Sequence, residues 1–419
     1  MKPIAITLII ILGAFLLPVS AQVTIDNCQS KARENYPLIR RYDLISHSKE
    51  YTLSNAGKAY LPQLSLTAKA SYQSDVTRLP IEVPGIDVPS LSKDQYNAYL
   101  ELNQAIWDGG VVRSQRKIAN VNAEVEEQQL NVDIYALEDR VNQLFFGILL
   151  LNEQLVQNKI LQDELQRNYR TVSSYMENGT ANQADLDAVK VEELKAKQNR
   201  VQIESTRKSY VEMLSYMIGE TIDLQSVFVK PEANLLVSNE INRPELLLFE
   251  SQNKLFESQK RMVKTAYMPK VNLFLQGGVG RPGLNMLDPD FDTYYMGGVR
   301  LSWNFGALYT QKNDIRKLEV SQENVLTQKE IFLYNTHLQI TQENQEIRQL
   351  KDMMQYDDAI IALRENVKKS AEAKVANGTM TVIDLMHEIS QENLARQDKI
   401  AHEIQLLMAV YNLKNTTNN

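Results

Sequence analysis

Glu177-Asn178-Gly179-Thr180, with Asp185-Leu186 five residues further on, decides the reading of this chain because it is written twice. Ala376-Asn377-Gly378-Thr379 is followed at the same spacing by Asp384-Leu385, 199 residues later. Asn-Gly suits a helix end, since both residues tolerate the left-handed backbone of a C-cap. A polar residue then stands three before each aspartate, Asn182 before Asp185 and Thr381 before Asp384, as at the start of a new helix. One such turn is ordinary punctuation. Two in register mark a tandem duplication.

Working outward, each turn interrupts a very long helical pattern. Residues 111–178 contain no proline and one glycine, Gly147, and residues 307–377 contain neither. Leu137, Val141, Leu144, Ile148, Leu151 and Leu155 alternate by four and three, the seam of a coiled coil. At about 1.5 Å per residue, either stretch spans roughly 100 Å as one helix.

Upstream of each long helix the period drops to two. Leu64, Leu66, Ala68, Ala70 and Tyr72 alternate with Ser65, Thr67, Lys69 and Ser71, and a second alternating run leads to Trp107. About ten residues with one apolar and one polar face is the length of a tilted strand crossing a bilayer. Ala59-Tyr60-Leu61-Pro62 leads into the first pair, and Ala266-Tyr267-Met268-Pro269 into a second. The expected layout is a first repeat over 22–219, with strands at 63–73 and 95–107 and helices at 111–178 and 182–218. A linker over 220–242 joins it to a second repeat over 243–414, with strands at 270–279 and 294–304 and helices at 307–377 and 382–413. Residues 415–419 read as a disordered tail. Tyr60, Tyr72, Tyr96, Trp107, Tyr267, Tyr294, Tyr295 and Trp303 lie near strand ends, as in interfacial aromatic belts.

The N-terminus bounds the location. Lys2, an apolar run from Ile4 to Leu17 and Val19-Ser20-Ala21 have the layout of a secretory signal peptide over 1–21. No later apolar run reaches the length of a spanning helix, so a membrane crossing must use strands. The single cysteine, Cys28, has no internal disulfide partner, and the acidic balance (45 basic, 52 acidic residues) offers no footprint for nucleic acid. No nucleophile triad, phosphate-binding loop or cofactor motif is present. Asp384, His387 and Glu388 lie within one helical turn, too few to make a catalytic zinc site. The chain therefore reads as a non-enzyme without metal or cofactor. Four strands cannot close a barrel, and open edges are not tolerated in lipid, so several copies must pool their strands. Three copies give twelve. The rival reading is an exported trimeric coiled-coil structural or adhesive protein without a pore, which has no need of membrane-length strands.

These segments, the Trp107-Asp108-Gly109-Gly110 strand exit and the paired Asn-Gly-Thr turns together resemble the outer-membrane efflux protein (TolC) family over the whole mature chain. That resemblance implies a mainly α fold with a β-barrel part: a homotrimer whose twelve-stranded barrel sits in the outer membrane of a Gram-negative-type bacterium. The barrel continues into a periplasmic α-helical barrel of coiled coils. The implied function is a passive exit duct for efflux or type I secretion, with a periplasmic adaptor protein and an inner-membrane pump of RND or ABC type as partners. The turns Asn178, Gly179, Thr180 and Asn377, Gly378, Thr379 then lie at the gated tip. Asp384 matches the constriction aspartate. His387 stands one turn on, where the best-known member has a second aspartate. Asp185 matches a latch residue, while its expected tyrosine and arginine partners correspond to Val375 and Met380, which can form neither bond.

Overall fold

Each strand pair begins where a Tyr-x-Pro segment stops a helix, since proline lacks an amide proton and biases the preceding residue towards extended backbone. The computed structural model describes residues 22–77, 91–232 and 238–419. The signal-peptide reading of 1–21 and most of the loop between the first two strands lie outside the described residues. Helix α1 (Ile25–Asn35) and a 3-10 turn (Pro37–Arg40) precede α2 (Arg41–Lys58), β1 (Gln63–Tyr72) and β2 (Asp94–Trp107). Helices α3 (Val111–Glu177), α4 (Gln183–Ile218) and α5 (Pro244–Thr265) follow, then β3 (Lys270–Arg281) and β4 (Asp292–Ser302). The chain closes with a 3-10 turn (Phe305–Ala307), α6 (Leu308–Ala376) and α7 (Val382–Thr417). Among the described residues, no helix is long and apolar enough to cross a membrane.

The chain divides into two compact units, each drawing on both sequence repeats. The strand-bearing unit comprises Arg40–Val132 and Pro244–Leu333. Its strands form one antiparallel sheet in the order β1-β2-β3-β4, so the two repeats join at the β2–β3 pairing. Leu64 pairs Leu102, Leu66 pairs Leu100 and Leu275 pairs Gly297, which collects the apolar residues on one face. That face is bare: Leu64 is 67% exposed, Leu66 73% and Tyr295 83%. The other face is polar and internally bonded. Glu101 accepts hydrogen bonds from Gln276 and Arg300, and Tyr294 shares hydrogen bonds with Asn97. Tyr294 therefore departs from the belt reading, because its register puts it opposite Gly278 on the polar side. A Cβ at Gly278 would stand 2.5 Å from the Ala98 carbonyl oxygen, so this position needs glycine. In the second repeat β3 runs past the expected end to Arg281, while β4 starts and stops two residues early: Trp303 has left the ladder, and its indole donates to the Tyr267 carbonyl.

The second unit comprises residues 1–39, 133–243 and 334–419. Its core uses the predicted seam: Val141 and Ile148 are fully buried, and with Leu137, Leu144, Phe145 and Phe146 they pack on α1, α4 and α7. Burying Phe145 and Phe146 edge to face contributes about 1 kcal/mol beyond their area. Cys28 lies in this core, 2% exposed, and burial pushes its thiol up to about 11. It stays protonated and inert. The 220–242 segment is tied down by Val23 pairing beside Phe228 and by Lys230 on Glu403.

The tail is a correction. Where the composition of 415–419 reads as disorder, α7 continues to Thr417, with Thr416 and Thr417 buried. Thr416 donates to Glu343, the Thr417 carbonyl accepts the Asn242 amide at 2.8 Å, and the Asn419 side chain donates to the Ser238 carbonyl. Polar residues look unstructured only while their partners, over seventy residues away in sequence, are out of sight.

Candidate functional site

The two Asn-Gly turns are built alike, down to their hydrogen bonds. Gly179 and Gly378 take φ of 74° and 68°, the left-handed region that a side chain strains. Thr180 and Thr379 return their amides to the carbonyls of Tyr175 and Lys374, and Asn178 and Asn377 bond back to Ser174 and Ala373. Each next helix starts on a cap. The Asn182 side chain accepts from the Asp185 amide while the Asp185 carboxylate accepts the Asn182 amide, a closed capping box. In the second copy Thr381 accepts from the Asp384 amide at 3.1 Å and its hydroxyl donates to the Asp384 carboxylate at 2.6 Å.

Asp384 thus does helix-start work, yet it remains exposed, as does His387 one turn along the same face. Asp185 is half-buried. Val375 and Met380 pack partly buried against an apolar cluster of Leu165, Val172, Leu186, Val189, Leu385 and Ile389, which spans both repeats. The residue types that cannot bond instead pack. Among the described residues no group of three or more histidine, cysteine or acidic side chains is placed to hold a metal ion.

A charged cluster beside this apolar one escaped the sequence reading. Lys368 on α6 donates to Glu164 of α3 at 2.7 Å and to Glu392 of α7. Arg396 bonds Glu392 at 2.8 Å and also reaches Glu365. Glu392 is 3% exposed; burial pushes its carboxyl up, but the bonds from Lys368 and Arg396 outweigh that and hold it below the usual range. Burial would lower Lys368, and its two carboxylate partners instead hold it raised. The 199-residue offset carried the signal: Glu193 matches Glu392 and Lys197 matches Arg396, with Glu193 bonded by Lys190 and Lys197. At the position of Lys368 the first repeat has Tyr169, over which Lys190 stacks. Only the second repeat ties across helices from different repeats.

The family described as outer membrane efflux protein matches residues 29–220. No curated protein sequence matches this one. Among solved structures, the fold is similar to the outer membrane protein VceC of Vibrio cholerae, at TM-score 0.66 and 11% identity over 93% of this chain and 95% of that one. It is also similar to the CmeC outer membrane channel of Campylobacter jejuni (0.66, 12%, 94% and 85%). The open-state MtrE outer membrane channel of Neisseria gonorrhoeae compares alike (0.65, 14%, 94% and 89%). Residues 29–220 thus match the outer membrane efflux protein family, and the chain over nearly its whole length has the fold of those outer-membrane channels.

Proposed function

We propose that the protein is a passive outer-membrane efflux channel, a homotrimer whose three sheets close one twelve-stranded barrel and whose long helices enclose a periplasmic duct. The observation that carries this reading is the sheet itself. It has an apolar face open to the surroundings and two unpaired edges, β1 and β4, that only lipid and further copies can satisfy. A seam on α6 supports the same assembly. Met353, Tyr356, Ile360, Leu363 and Val367 recur at three and four, all exposed in the single chain. That is the spacing of knobs awaiting holes on a second copy. Energy comes from an inner-membrane pump, of RND or ABC type, reached through a periplasmic adaptor.

The Asn-Gly turns form the gated end in this reading, with Asp384 and His387 lining the pore and Asp185 supporting from the first repeat. Three Asp384 carboxylates around one axis attract cations. Purified protein in a planar bilayer is expected to conduct ions and to be blocked by divalent cations. Asp384→Asn, which keeps hydrogen-bonding groups at the helix start, abolishes that block while conductance persists. Protein that fractionates as soluble and forms no pores would overturn the channel; unchanged block in Asp384→Asn would overturn the ring.

A further inference from the structure

We infer that a basic cavity in the strand-bearing unit, between the start of α3 and the end of α5, binds the phosphate headgroup of an anionic phospholipid. This rests on the outer-membrane reading and adds a ligand to it. The cavity holds about 920 Å³ and is lined by Tyr60, Arg113, Arg116, Lys117, Ser258 and Arg261, among others. Arg113, Arg116 and Lys117 recur at i, i+3 and i+4 and so share one face of α3, while Arg261 comes from α5.

Two of the four cations on α5 have carboxylate partners. Lys254 sits between Glu124 and Glu250, and Lys260 bonds Glu257. None of the four cavity cations forms an ion pair among the described residues. Asp108, just before α3, and Glu257, on α5, are already engaged. Asp108 accepts the Tyr60 hydroxyl at 2.8 Å and the Gly110 and Val112 amides at 2.8 and 2.6 Å. Glu257, beside Arg261, accepts from Gln322 and Lys260, both at 3.0 Å. Glu257 also exerts a Coulombic pull on Arg261, and the cavity still gathers four cations from two helices. Arginine matches a phosphate with two parallel donors.

Its level fits a headgroup. Trp107, Trp303 and Phe305 are each more than half exposed at the strand ends, the depth at which aromatics meet the bilayer interface. Arg113 to Lys117 lie about 3 to 9 Å along α3 from Val111, at 1.5 Å per residue. The polar layer on each side of the hydrocarbon is roughly 5 to 8 Å thick, so Arg113 and Arg116 fall within it and Lys117 sits at its edge. The sheet order also keeps the cavity open. α3 follows β2 and α5 precedes β3, the inner strands, whereas other copies pair at β1 and β4.

The test is native mass spectrometry of the purified full-length protein in neutral detergent, titrated with phosphatidylglycerol or phosphatidylcholine of equal chain length. Phosphatidylglycerol is expected to be retained preferentially and not displaced by inorganic phosphate. Arg113→Gln, Arg116→Gln, Lys117→Gln and Arg261→Gln each lower its retention about fivefold, from about 1 kcal/mol per cation near a lipid surface. Arg113→Lys with Arg116→Lys, which keeps the charge, retains most of it; the single variants guard against a multiple variant that does not fold. Equal retention of the two lipids, retention unchanged in the Gln variants, or full displacement by inorganic phosphate overturns the inference. Conductance of the same preparations separates the two readings: a conducting protein that ignores phosphatidylglycerol refutes the lipid site alone, and a non-conducting one refutes the channel.

Discussion

Lys368→Met is expected to destabilise the turn-bearing end of the second unit by about 3 kcal/mol, the lower end of the cost of breaking a buried ion pair. Lys368 is the hub on which Glu164 and Glu392 converge, and its own side chain is only 14% exposed. Methionine fills similar volume but leaves Glu164 without its cation, while Glu392 keeps Arg396. Hydrogen exchange should accelerate in 160–200 and 365–396 and stay unchanged in the strands. In planar bilayers the variant should spend longer open, because Lys368 is the ion-pair link from the first repeat to the second beside the apolar cluster.

The pH dependence follows from the directions of the two shifts. Glu392 is depressed in the folded chain, so its contribution is present above about pH 4.3 and is lost as pH falls through the lower folded value. Lys368 is raised, so its contribution is complete below about pH 10.4 and is lost as pH rises through the higher folded value. Between these limits the cluster is intact. The deficit of Lys368→Met should be constant across neutral pH and should shrink in acid, where Glu392 gains a proton and the wild-type cluster loses its contribution. A deficit that did not shrink in acid would mean that lost packing, not lost charge, caused it.

Leu66→Arg is expected to keep the protein out of the outer membrane. Leu66 is 73% exposed on the apolar face of β1, opposite Leu100, near mid-strand. An arginine at that depth costs about 2 to 4 kcal/mol per copy, and the proposed trimer carries three. Thr67→Arg, one residue along and on the polar face opposite Tyr99, is the control and should assemble normally. Quantifying each variant in the outer-membrane fraction checks this. Equal recovery of both would mean that the apolar face does not meet lipid.

Sequence determined the elements, because each is encoded by short-range chemistry. Alternation at period two set β1 and β2 to within a residue or two, and the lack of proline, with at most one glycine, set α3 and α6. Asn-Gly set the turns, and the repetition of all of these revealed the duplication. The candidate site was legible in the same way, down to the capping partners of Asp185 and Asp384. Tertiary structure alone decided who meets whom. That Val375 and Met380, which can form no latch bond, pack into an apolar cluster, that Lys368 reaches Glu164 across 204 residues, and that Thr416 and Thr417 are buried rather than frayed all depend on partners distant in the chain. The same holds for the basic cavity, whose cations come from α3 and α5, about 150 residues apart in sequence. Local propensity is written in neighbouring residues. Charge balance and burial are properties of a packed environment, and no stretch of sequence contains its own.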